Sequence, residues 1–427
     1  MKKRCLTLLS IFMVVGVLLS GCSGSDSAGG NNSGDKVNIR FSWWTNPNRT
    51  KVTKEAIKLF EKKYPNIHVT MEYYSWDAYW QKMATVAAGG KLPDVMQMDG
   101  SRLRSFAEKG QVMDLSKQDI DTSGLNKNTV NLGKLDGKLY ALTTSINAQF
   151  MISNPEILKK AGVSMPDKNY TWEEFADILV KINKKTGKYG AANEMEQPAY
   201  LDYFARTKGE SLYSSDGKSV GVSKTTLKEW FQFWLDLQEK GGVPSAQVNS
   251  SYSHNEMTAN PFLSEKTAFN WLFLGTDGQY EKSIGKPIGR ELLPEWGNDN
   301  KPYPLHAAMF WTMSSKTEHP DAAAKLMNFL ENDTEVAKLF QNDRGIPANT
   351  KNMQLVADTS SDGAVKKQNE FMKKVQKIAT PLQLDPASAG STGDILKNIA
   401  QQVTFKKLTP SKAADQFISE MNTALNK

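Results

Sequence analysis

Two kinds of spacing between apolar residues divide the chain beyond residue 36 into predicted strands and helices. Apolar and polar residues alternate one by one at 37–43 and again at 67–73, which is typical of β-strands. Between them, the apolar residues of 52–60 recur on one helical face, and a second helix is predicted at 76–88 with Ser75 as its N-cap. This order of elements predicts an α/β lobe with a mainly parallel sheet.

The middle of the chain is predicted to be mostly helical. Thr171 and Glu174 have the spacing of a capping box, and Trp230 and Trp234 lie one helical turn apart on the apolar face of a later helix. Residues 310–313 return to the pattern of a strand. A chain of 427 residues points to more than one lobe.

The first residues have the layout of a secretory signal peptide. A cationic start precedes an apolar run of 14 residues at 6–19, whereas a membrane-spanning helix needs roughly 20. The run ends in Leu-Ser-Gly-Cys at 19–22, which resembles the lipobox of bacterial lipoproteins. That resemblance implies a signal peptide at 1–21 that is cleaved off, and acylation of the Cys22 thiol.

The region after the cleavage site is predicted to be a lipidated cysteine and a flexible tether at 22–36, because Ser, Gly, Asn and Asp dominate it. Two acyl chains give a lasting membrane anchor, so the protein is expected on the extracellular face of the bacterial cell membrane. The sequence has two cysteines, Cys5 and Cys22. Cleavage removes the first and lipidation uses the second, so the processed chain is expected to have no disulfide.

The charged residues indicate solubility rather than a nucleic-acid surface. The formal net charge is +7, and three of the positive charges, Lys2, Lys3 and Arg4, leave with the signal peptide. The remaining charges of both signs are interspersed, without the basic clusters that a nucleic-acid surface needs. We therefore expect no nucleic-acid partner, and we expect a monomer.

No motif for catalysis or metal binding is found. The four histidines, His68, His254, His306 and His319, are scattered, and the sequence has no nucleophile elbow, phosphate loop or dinucleotide turn. Metal-ligand spacings are absent as well. We therefore predict no catalytic residue, no metal and no cofactor, although two carboxylates of a glycosidase could always be present among the acidic residues.

Aromatic residues near turns carry the strongest chemical signal. Sugar rings lie flat on aromatic rings, and their hydroxyl groups need polar partners, so a carbohydrate groove combines both residue types. Trp44, Trp76 and Trp271 are predicted to line such a site, and Trp44 is followed closely by Asn46 and Arg49. Most aromatic rings belong to cores, and the core is the interpretation favoured for Trp43, Trp80, Trp230 and Trp234.

The order of several segments resembles the extracellular solute-binding proteins of carbohydrate ABC importers, the family 1 proteins that include maltose-binding protein. No single segment is diagnostic, but the ordered series is specific and runs from near residue 37 to the C-terminus. The segments are Phe-Glu-Lys-Lys-Tyr-Pro-Asn-Ile at 60–67, Gly-Gly-Lys-Leu-Pro-Asp-Val at 89–95, Gly-Lys-Leu-Tyr-Ala-Leu at 137–142, Asn-Pro-Glu-Ile-Leu-Lys-Lys-Ala-Gly at 154–162, Tyr-Thr-Trp-Glu-Glu-Phe at 170–175 and Arg-Gly-Ile-Pro at 344–347.

The resemblance implies a two-lobe periplasmic-binding-protein-like α/β fold, with a hinge and a ligand cleft between the lobes. The first lobe is expected at 37–145 plus 305–345, and the second at 146–304 plus 346–427. Ligand binding is expected to close the hinge, since a ligand that contacts both lobes favours the closed state. The expected partners are an oligosaccharide, the permease subunits of an ABC importer and, through the lipid anchor, the membrane.

A narrower resemblance is to the binding lipoproteins of importers for pectin fragments, those for rhamnogalacturonan oligosaccharides. Segments 75–82, 95–99 and 206–210 are similar to theirs, whereas 310–312 differs. The uronate groups of such sugars would favour an arginine partner. The predicted ligand-binding set is Trp44, Asn46, Arg49, Trp76, Asp99, Ser101, Asn147, Arg206, Trp271, Phe273 and Arg344.

Two alternatives to an oligosaccharide receptor are left open by the residues themselves. A receptor for another small solute, such as a peptide or a polyamine, would share the fold, and a polyamine would favour an acidic cleft with aromatic walls. A secreted glycoside-degrading enzyme would need two carboxyl groups at a set separation. The sequence does not identify the sugar or its length.

Overall fold

The computed structural model describes residues 36–165, 170–252, 257–295 and 303–426. The predicted signal peptide, Cys22 and most of the predicted tether lie outside the described residues. Over the described residues, helices and strands alternate in the first third of the chain, as the apolar spacing predicts, and helices dominate afterwards.

The strands pair in one large sheet apart from a two-stranded hairpin of β4 and β5. They are β1 (Val37–Trp44), β2 (Ile67–Tyr74), β3 (Val95–Met98), β4 (Lys134–Leu135), β5 (Lys138–Leu139), β6 (Leu142–Ser153), β7 (Phe269–Phe273), β8 (Gly289–Glu291), β9 (Tyr303–Met313), β10 (Ile346–Pro347) and β11 (Ala379–Pro381).

The helices surround this sheet and build most of the second half of the chain. They are α1 (Pro47–Lys63), α2 (Trp76–Ala88), α3 (Gly100–Glu108), α4 (Lys127–Asn131), α5 (Pro155–Ala161), α6 (Trp172–Thr186), α7 (Pro198–Arg206), α8 (Lys224–Glu239), α9 (Ala246–Asn249), α10 (Asp277–Ile284), α11 (Pro320–Asn332), α12 (Thr334–Phe340), α13 (Thr350–Thr359), α14 (Gly363–Gln376), α15 (Thr392–Thr404) and α16 (Pro410–Leu425).

The sheet is mixed, which corrects the prediction of a mainly parallel one. Its main strand order is β10-β6-β9-β3-β1-β2, and β1 is parallel to both β2 and β3. β9 then runs antiparallel to β3 and to β6. The parallel arrangement is confined to the predicted β-α-β-α-β segment, because the later strands return from distant parts of the chain.

The first lobe consists of β1–β3 with helices on both faces of the sheet. Successive strand residues point to opposite faces. Trp44 meets Tyr79 of α2 on one face, while Phe41 meets Trp311 on the other, where α1 and α11 pack. Trp43 is fully buried, as predicted. The carboxyl ends of the three strands, with the first turns of α1, α2 and α3, therefore form one edge of this lobe.

Two long strands, β6 and β9, cross from the first lobe to the second. The first part of β6 pairs with β9, from Leu142 opposite Trp311 to Ala148 opposite Leu305. The last part of β6, from Gln149 to Ser153, pairs instead with β7 of the second lobe. β11 adds a third connection by pairing with the first residues of β9.

The second lobe is held together by helices packed against β7 and the end of β6. The predicted capping box is present, since the Thr171 hydroxyl accepts a hydrogen bond from the Glu174 amide and the Glu174 carboxylate accepts one from the Thr171 amide. Helices α8 and α16 pack along each other, and α15 joins them. Trp230 and Trp234 of α8 are fully buried, as the helical spacing predicts.

Candidate functional site

Four aromatic side chains meet where β1 ends and α2 begins, and we call Trp44, Trp76, Tyr79 and Trp80 the rim cluster. The ring of Trp76 lies 5.0 Å from that of Trp44 and 5.7 Å from that of Trp80, in edge-to-face arrangements that aromatic pairs favour. Trp44 is 7% exposed, whereas Trp76 is 43% exposed. The rim cluster therefore holds one large aromatic ring in place with much of its surface open.

Asp99 and Ser101 lie beside this cluster at the start of α3, directly after β3. Asp99 is the N-cap of α3, and its Oδ1 accepts hydrogen bonds from the Ser101 amide at 2.9 Å and from the Ser101 hydroxyl at 2.5 Å. Arg102, the next residue of the helix, places its guanidinium 5.5 Å from the centre of the Trp80 ring. The first turn of α3 thus brings a carboxylate and a hydroxyl to the same edge as Trp76.

Asn147 and Phe273 lie on the crossing part of the sheet. Asn147 of β6 is directly opposite His306 of β9, so the two side chains share a face. The Phe273 ring meets the His306 ring edge-to-face at 5.2 Å. The Asn147 side-chain oxygen accepts a hydrogen bond from the Ala148 amide, which leaves its amide group available.

A cavity of about 170 Å³ joins the edge of the first lobe to the crossing strands. It brings the predicted Asp99 and Ser101 together with two residues that sequence reasoning missed, His306 and Asp385. The lining is completed by Gly100, Leu132, Ala307, Phe310, Leu382, Gln383 and Leu384.

His306 lines the cavity as a neutral imidazole. Burial is the main cause that lowers the pKa of His306 to about 4, with the negative charge of Asp202 opposing it and the positive charge of Arg206 adding to it. The Nε2 atom is buried and has no hydrogen-bond partner among the described residues. A neutral imidazole has one donor and one acceptor nitrogen, so His306 can pair with a ligand hydroxyl.

Asp385 lies on the loop after β11 and faces both this cavity and a smaller adjoining pocket that Arg206 lines. The surrounding protein, and next the charge of Asp202, raise the pKa of Asp385 to about 6, although the side chain stays accessible to solvent. No described residue donates a hydrogen bond to its carboxylate. Asp385 is therefore an acceptor that is placed at the cavity without a partner.

Arg206 is near the cavity but already paired. Its Nε atom lies 2.6 Å from Oδ2 of Asp202, one helical turn earlier in α7. The second oxygen of Asp202 accepts a hydrogen bond from the Leu212 amide. In this conformation the pair fixes the end of α7, and a ligand carboxylate would have to compete with Asp202 for Arg206.

The other two predicted arginines, Arg49 and Arg344, belong to a buried network on the α1 face of the sheet. Arg49 binds both the carboxylate and the carbonyl of Asp343, at 2.7 and 2.6 Å. Arg344 is 3% exposed and donates to Gln97 and Thr53, and its burial lowers its pKa to about 9. These contacts anchor the segment before β10. The two arginines therefore have a structural role.

Asn46 has a local role in the same region. Its side-chain oxygen accepts a hydrogen bond from the Arg49 amide at 2.9 Å and so caps α1. The residue is exposed at the edge where the first-lobe strands end. Because Asn46 caps α1 through its side-chain oxygen, its side-chain amide group is left available for other partners.

Trp271 lies in a closed aromatic group of the second lobe, and we call Trp172, Trp230, Trp234 and Trp271 the core cluster. Trp271 is 3% exposed, with the rings of Trp172 and Trp234 at 5.8 and 6.2 Å. Tyr200 lies at 4.6 Å. The ring is covered by protein, as expected of a core residue and not of a residue that lines a cleft.

Sequence reasoning had little means of finding His306 and Asp385. His306 lies in a strand that periodicity predicts only from residue 310 onwards, and Asp385 lies in a loop with no periodic pattern. Both reach the cavity only because β9 and β11 pair between the lobes. The one local signal is the Asp-Pro pair at 385–386, which is typical of turns.

In the part of the chain that the structure describes, no three or more side chains of His, Cys, Asp and Glu come together as metal ligands would. Nor does any described helix combine the length and the apolar composition needed to cross a membrane.

The sequence profile of the bacterial extracellular solute-binding proteins matches residues 46–337, well over half of the chain. Among characterised proteins, the arabinooligosaccharide-binding protein of Bacillus subtilis is 23% identical over 348 residues, which cover 78% of each protein. The profile match includes Trp76, Tyr79 and Trp80 of the rim cluster and all four residues of the core cluster.

Two solved structures have the same fold. An extracellular solute-binding protein family 1 member from Alicyclobacillus acidocaldarius superimposes with a TM-score of 0.81 at 28% identity, covering 93% of this chain and all of the other. A periplasmic oligogalacturonide-binding protein from Yersinia enterocolitica gives 0.80 at 21% identity, covering 91% of this chain and 99% of the other. The two-lobe α/β fold is thereby confirmed.

Proposed function

Because the chain belongs to the bacterial extracellular solute-binding proteins, we propose that it captures an oligosaccharide between its two lobes and delivers it to an ABC importer. Members of this family are binding proteins. The observation that carries the proposal is the convergence, at one cavity, of polar groups that have no protein partner. These are His306 Nε2, which is buried, and the Asp385 carboxylate, which is open to solvent, beside Asp99, which caps α3. The exposed ring of Trp76 lies at the same edge of the first lobe but is not among the residues that line this cavity.

The chemistry of these groups fits a sugar. Trp76 offers a rigid apolar surface on which a sugar ring can lie, and the unpaired acceptor and imidazole can bind hydroxyl groups. An unpartnered polar atom buried in a protein, such as His306 Nε2, costs free energy, which a ligand that pairs with it recovers. Asp99, Ser101, Asn147 and Phe273 complete the proposed site. We leave Trp271, Arg49 and Arg344 out, because protein atoms already cover or bind them.

The lobes are proposed to close on the ligand by bending at the crossing strands. We place the bend near residues 147–149 and 305–306, where β6 changes its partner from β9 to β7. Small-angle X-ray scattering should show a smaller radius of gyration at saturating sugar. An unchanged radius, with an unliganded form that is open by the same measurement, would contradict closure.

The proposed division between the lobes follows the predicted one with a single change. The predicted first lobe, 37–145 plus 305–345, is extended to include β10 and α13. The Asn352 side chain bonds to the Glu331 carbonyl at 2.9 Å, and the Thr350 amide bonds to the Gly124 carbonyl at 2.9 Å. Both acceptors lie in first-lobe segments.

The proposed cellular position is the outer face of the cell membrane, through a lipid on Cys22. The Leu-Ser-Gly-Cys sequence at 19–22 motivates this proposal. Cys22→Ala should release the protein into the medium or leave the precursor uncleaved. A variant that stays on the membrane at the size of the processed protein would contradict the lipid anchor.

The sugar is best identified by titration of a defined panel. The relatives named above bind arabino-oligosaccharides and oligogalacturonides, so we would compare arabinotriose, digalacturonic acid and a rhamnogalacturonan disaccharide, with maltotriose as an unrelated sugar. A ligand at a hundred times its Kd should stabilise the fold by about 2.7 kcal/mol in a thermal melt.

The same panel tests both alternatives. Chromatography of the incubated sugars should show no cleavage products, whereas cleavage would indicate a glycoside-degrading enzyme. Spermidine and a dipeptide, included as controls, should give no stabilisation. Stabilisation by either of these, with none by any sugar, would favour a receptor for a different solute.

A further inference from the structure

Arg104 of α3 holds the loop that carries Asp385. Its Nε atom donates to the Asp385 carbonyl at 3.1 Å, and its Nη2 atom donates to the Leu384 carbonyl at 3.1 Å. Two consecutive carbonyls are thus bound by one planar guanidinium, whose fixed fork makes such a contact directional. A helix of the first lobe thereby fixes a loop that leads into the second lobe.

The same loop is anchored at both ends. At its start, the Leu382 amide donates to the Leu305 carbonyl of β9 at 2.9 Å. At its end, Pro386 packs so closely on Gly217 that an added Cβ there would lie 3.1 Å from the proline ring. Hydrogen bonds of the Leu382 amide and the Leu384 and Asp385 carbonyls hold the backbone of the loop, and the Pro386 ring packs on Gly217. The loop can therefore present the Asp385 side chain to the cavity in one place.

We propose that Arg104 is a positioning residue for ligand binding, which fixes the loop at 382–386 so that the Asp385 carboxylate accepts hydroxyl groups of the bound oligosaccharide. This proposal rests on the proposed function of the cavity. Arg104 itself does not touch the ligand. Its two carbonyl contacts set where the carboxylate stands, and its charge acts on that carboxylate through space.

The competing interpretation is that Arg104 only forms an ion pair on the surface of α3. Its Nη1 atom lies 3.5 Å from Glu108 one turn along α3, but the Glu108 side chain is 51% exposed. Exposed pairs of this kind contribute little to stability. The Arg104 side chain is only 13% exposed, because its other nitrogens face the loop.

The charges around Asp385 predict how binding depends on pH. Asp202 and Arg206 face it from α7, Asp99 and Arg104 from α3, and His306 lines the cavity from β9 as a neutral group. The surrounding protein and the two aspartates raise the pKa of Asp385, while the two arginines lower it, with about 6 as the result. Since the ionised carboxylate is the stronger acceptor, affinity should increase as the pH rises through about 6.

Three variants separate the charge of Arg104 from its geometry, and a fourth is the control. Arg104→Gln removes both the charge and the fork, whereas Arg104→Lys keeps the charge and loses the fork. Asp385→Asn removes the proposed acceptor charge. Glu108→Gln removes only the exposed ion pair and should behave as the original protein does.

The first measurement needs no ligand. Carboxyl carbon NMR on the unliganded protein, with the resonance identified by Asp385→Asn, should show a higher pKa of Asp385 in Arg104→Gln. In Arg104→Lys and in Glu108→Gln it should stay near the original value. An unchanged pKa in Arg104→Gln would mean that Arg104 does not act on Asp385, and would overturn the proposal.

The second measurement is calorimetric titration with arabinotriose and with digalacturonic acid between pH 5 and 8. At pH 8, Asp385→Asn and Arg104→Gln should each weaken binding of the preferred sugar by about tenfold or more, as expected for a lost hydrogen bond to a charged group. Arg104→Lys should weaken it by less. Asp385→Asn should also abolish the change of affinity around pH 6.

The proposed sugar site and the positioning role of Arg104 can be refuted separately. If neither probe binds to the original protein, the proposed sugar is wrong, and the NMR measurement alone decides whether Arg104 acts on Asp385. If a probe binds and both Arg104→Gln and Asp385→Asn keep its full affinity, the cavity binds sugar without this pair. The positioning role is then excluded while the proposed function stands.

Discussion

Tryptophan supplies three of the four rings of the rim cluster and all four of the core cluster, at similar spacings, but the two clusters differ in what covers them. Ring centres in the rim cluster lie 5.0–5.8 Å apart, and those in the core cluster 5.5–6.5 Å apart. The four core rings are 0–3% exposed, whereas Trp76 is 43% exposed. A tryptophan-rich segment therefore does not reveal whether its rings bind a ligand or fill a core.

The difference follows from where each cluster lies in the fold. The core cluster is formed by α6, α8 and β7, with Phe204 and Tyr200 of α7 packed on its rings. The rim cluster lies at the carboxyl end of β1, where α2 begins. In open α/β sheets this end faces the crevice in which ligands bind. Because no described helix or strand covers this edge, the ring of Trp76 stays exposed.

The largest expected effect is on folding and comes from the core cluster. Trp271→Ala should reduce the free energy of unfolding by about 3–5 kcal/mol, because it removes a buried ring and leaves a cavity. Urea denaturation followed by circular dichroism would measure it. A loss below about 1 kcal/mol, combined with weakened sugar binding, would instead make Trp271 a ligand-binding residue.

The next effect is on binding and comes from the rim cluster. Trp76→Ala should weaken sugar binding by about 1–3 kcal/mol, by analogy with bases stacked on aromatic rings, while the free energy of unfolding changes by under about 1 kcal/mol. Titration calorimetry and urea denaturation of the same preparation would show both. If Trp76→Ala lowers the free energy of unfolding as much as Trp271→Ala does, both clusters serve as cores and the proposed difference between them is wrong.

The smallest effect expected is from the polar side of the site. His306→Phe keeps a ring against Phe273 but removes both nitrogens, so binding should weaken by about 0.5–1.5 kcal/mol, or two- to tenfold. Since the pKa of His306 is about 4, the loss should be the same at pH 6 and pH 8. A loss that grows between those values as the pH falls would show that a protonated His306 takes part.

The sequence predicts those elements that are formed by residues close together in the chain. The strand at 37–44, the N-cap at Ser75 and the capping box of Thr171 and Glu174 follow from residues a few positions apart, and the structure has them all. Asp99 directly follows a strand, which places it at the strand end.

The remaining half of the site depends on contacts between distant parts of the chain. The loop of Asp385 is bound by Arg104 of α3, far away in the sequence, and His306 reaches the cavity because β9 crosses between the lobes. Trp271, in contrast, is predicted to line the site, and the structure buries it in the core cluster. Four of the five residues in its strand are buried, since both faces of β7 are covered, and no alternation of polar residues marks the ring as internal.

One spectrum can compare the two clusters directly, because fluorine-19 NMR of protein labelled with 5-fluorotryptophan gives each ring its own resonance. Trp→Phe variants would identify the resonances of Trp76 and Trp271. Adding the sugar selected from the panel should shift the Trp76 resonance in a saturable way and leave that of Trp271 unchanged. A Trp76 resonance that stays in place at saturating sugar, while that of Trp271 shifts, would contradict the proposed binding site.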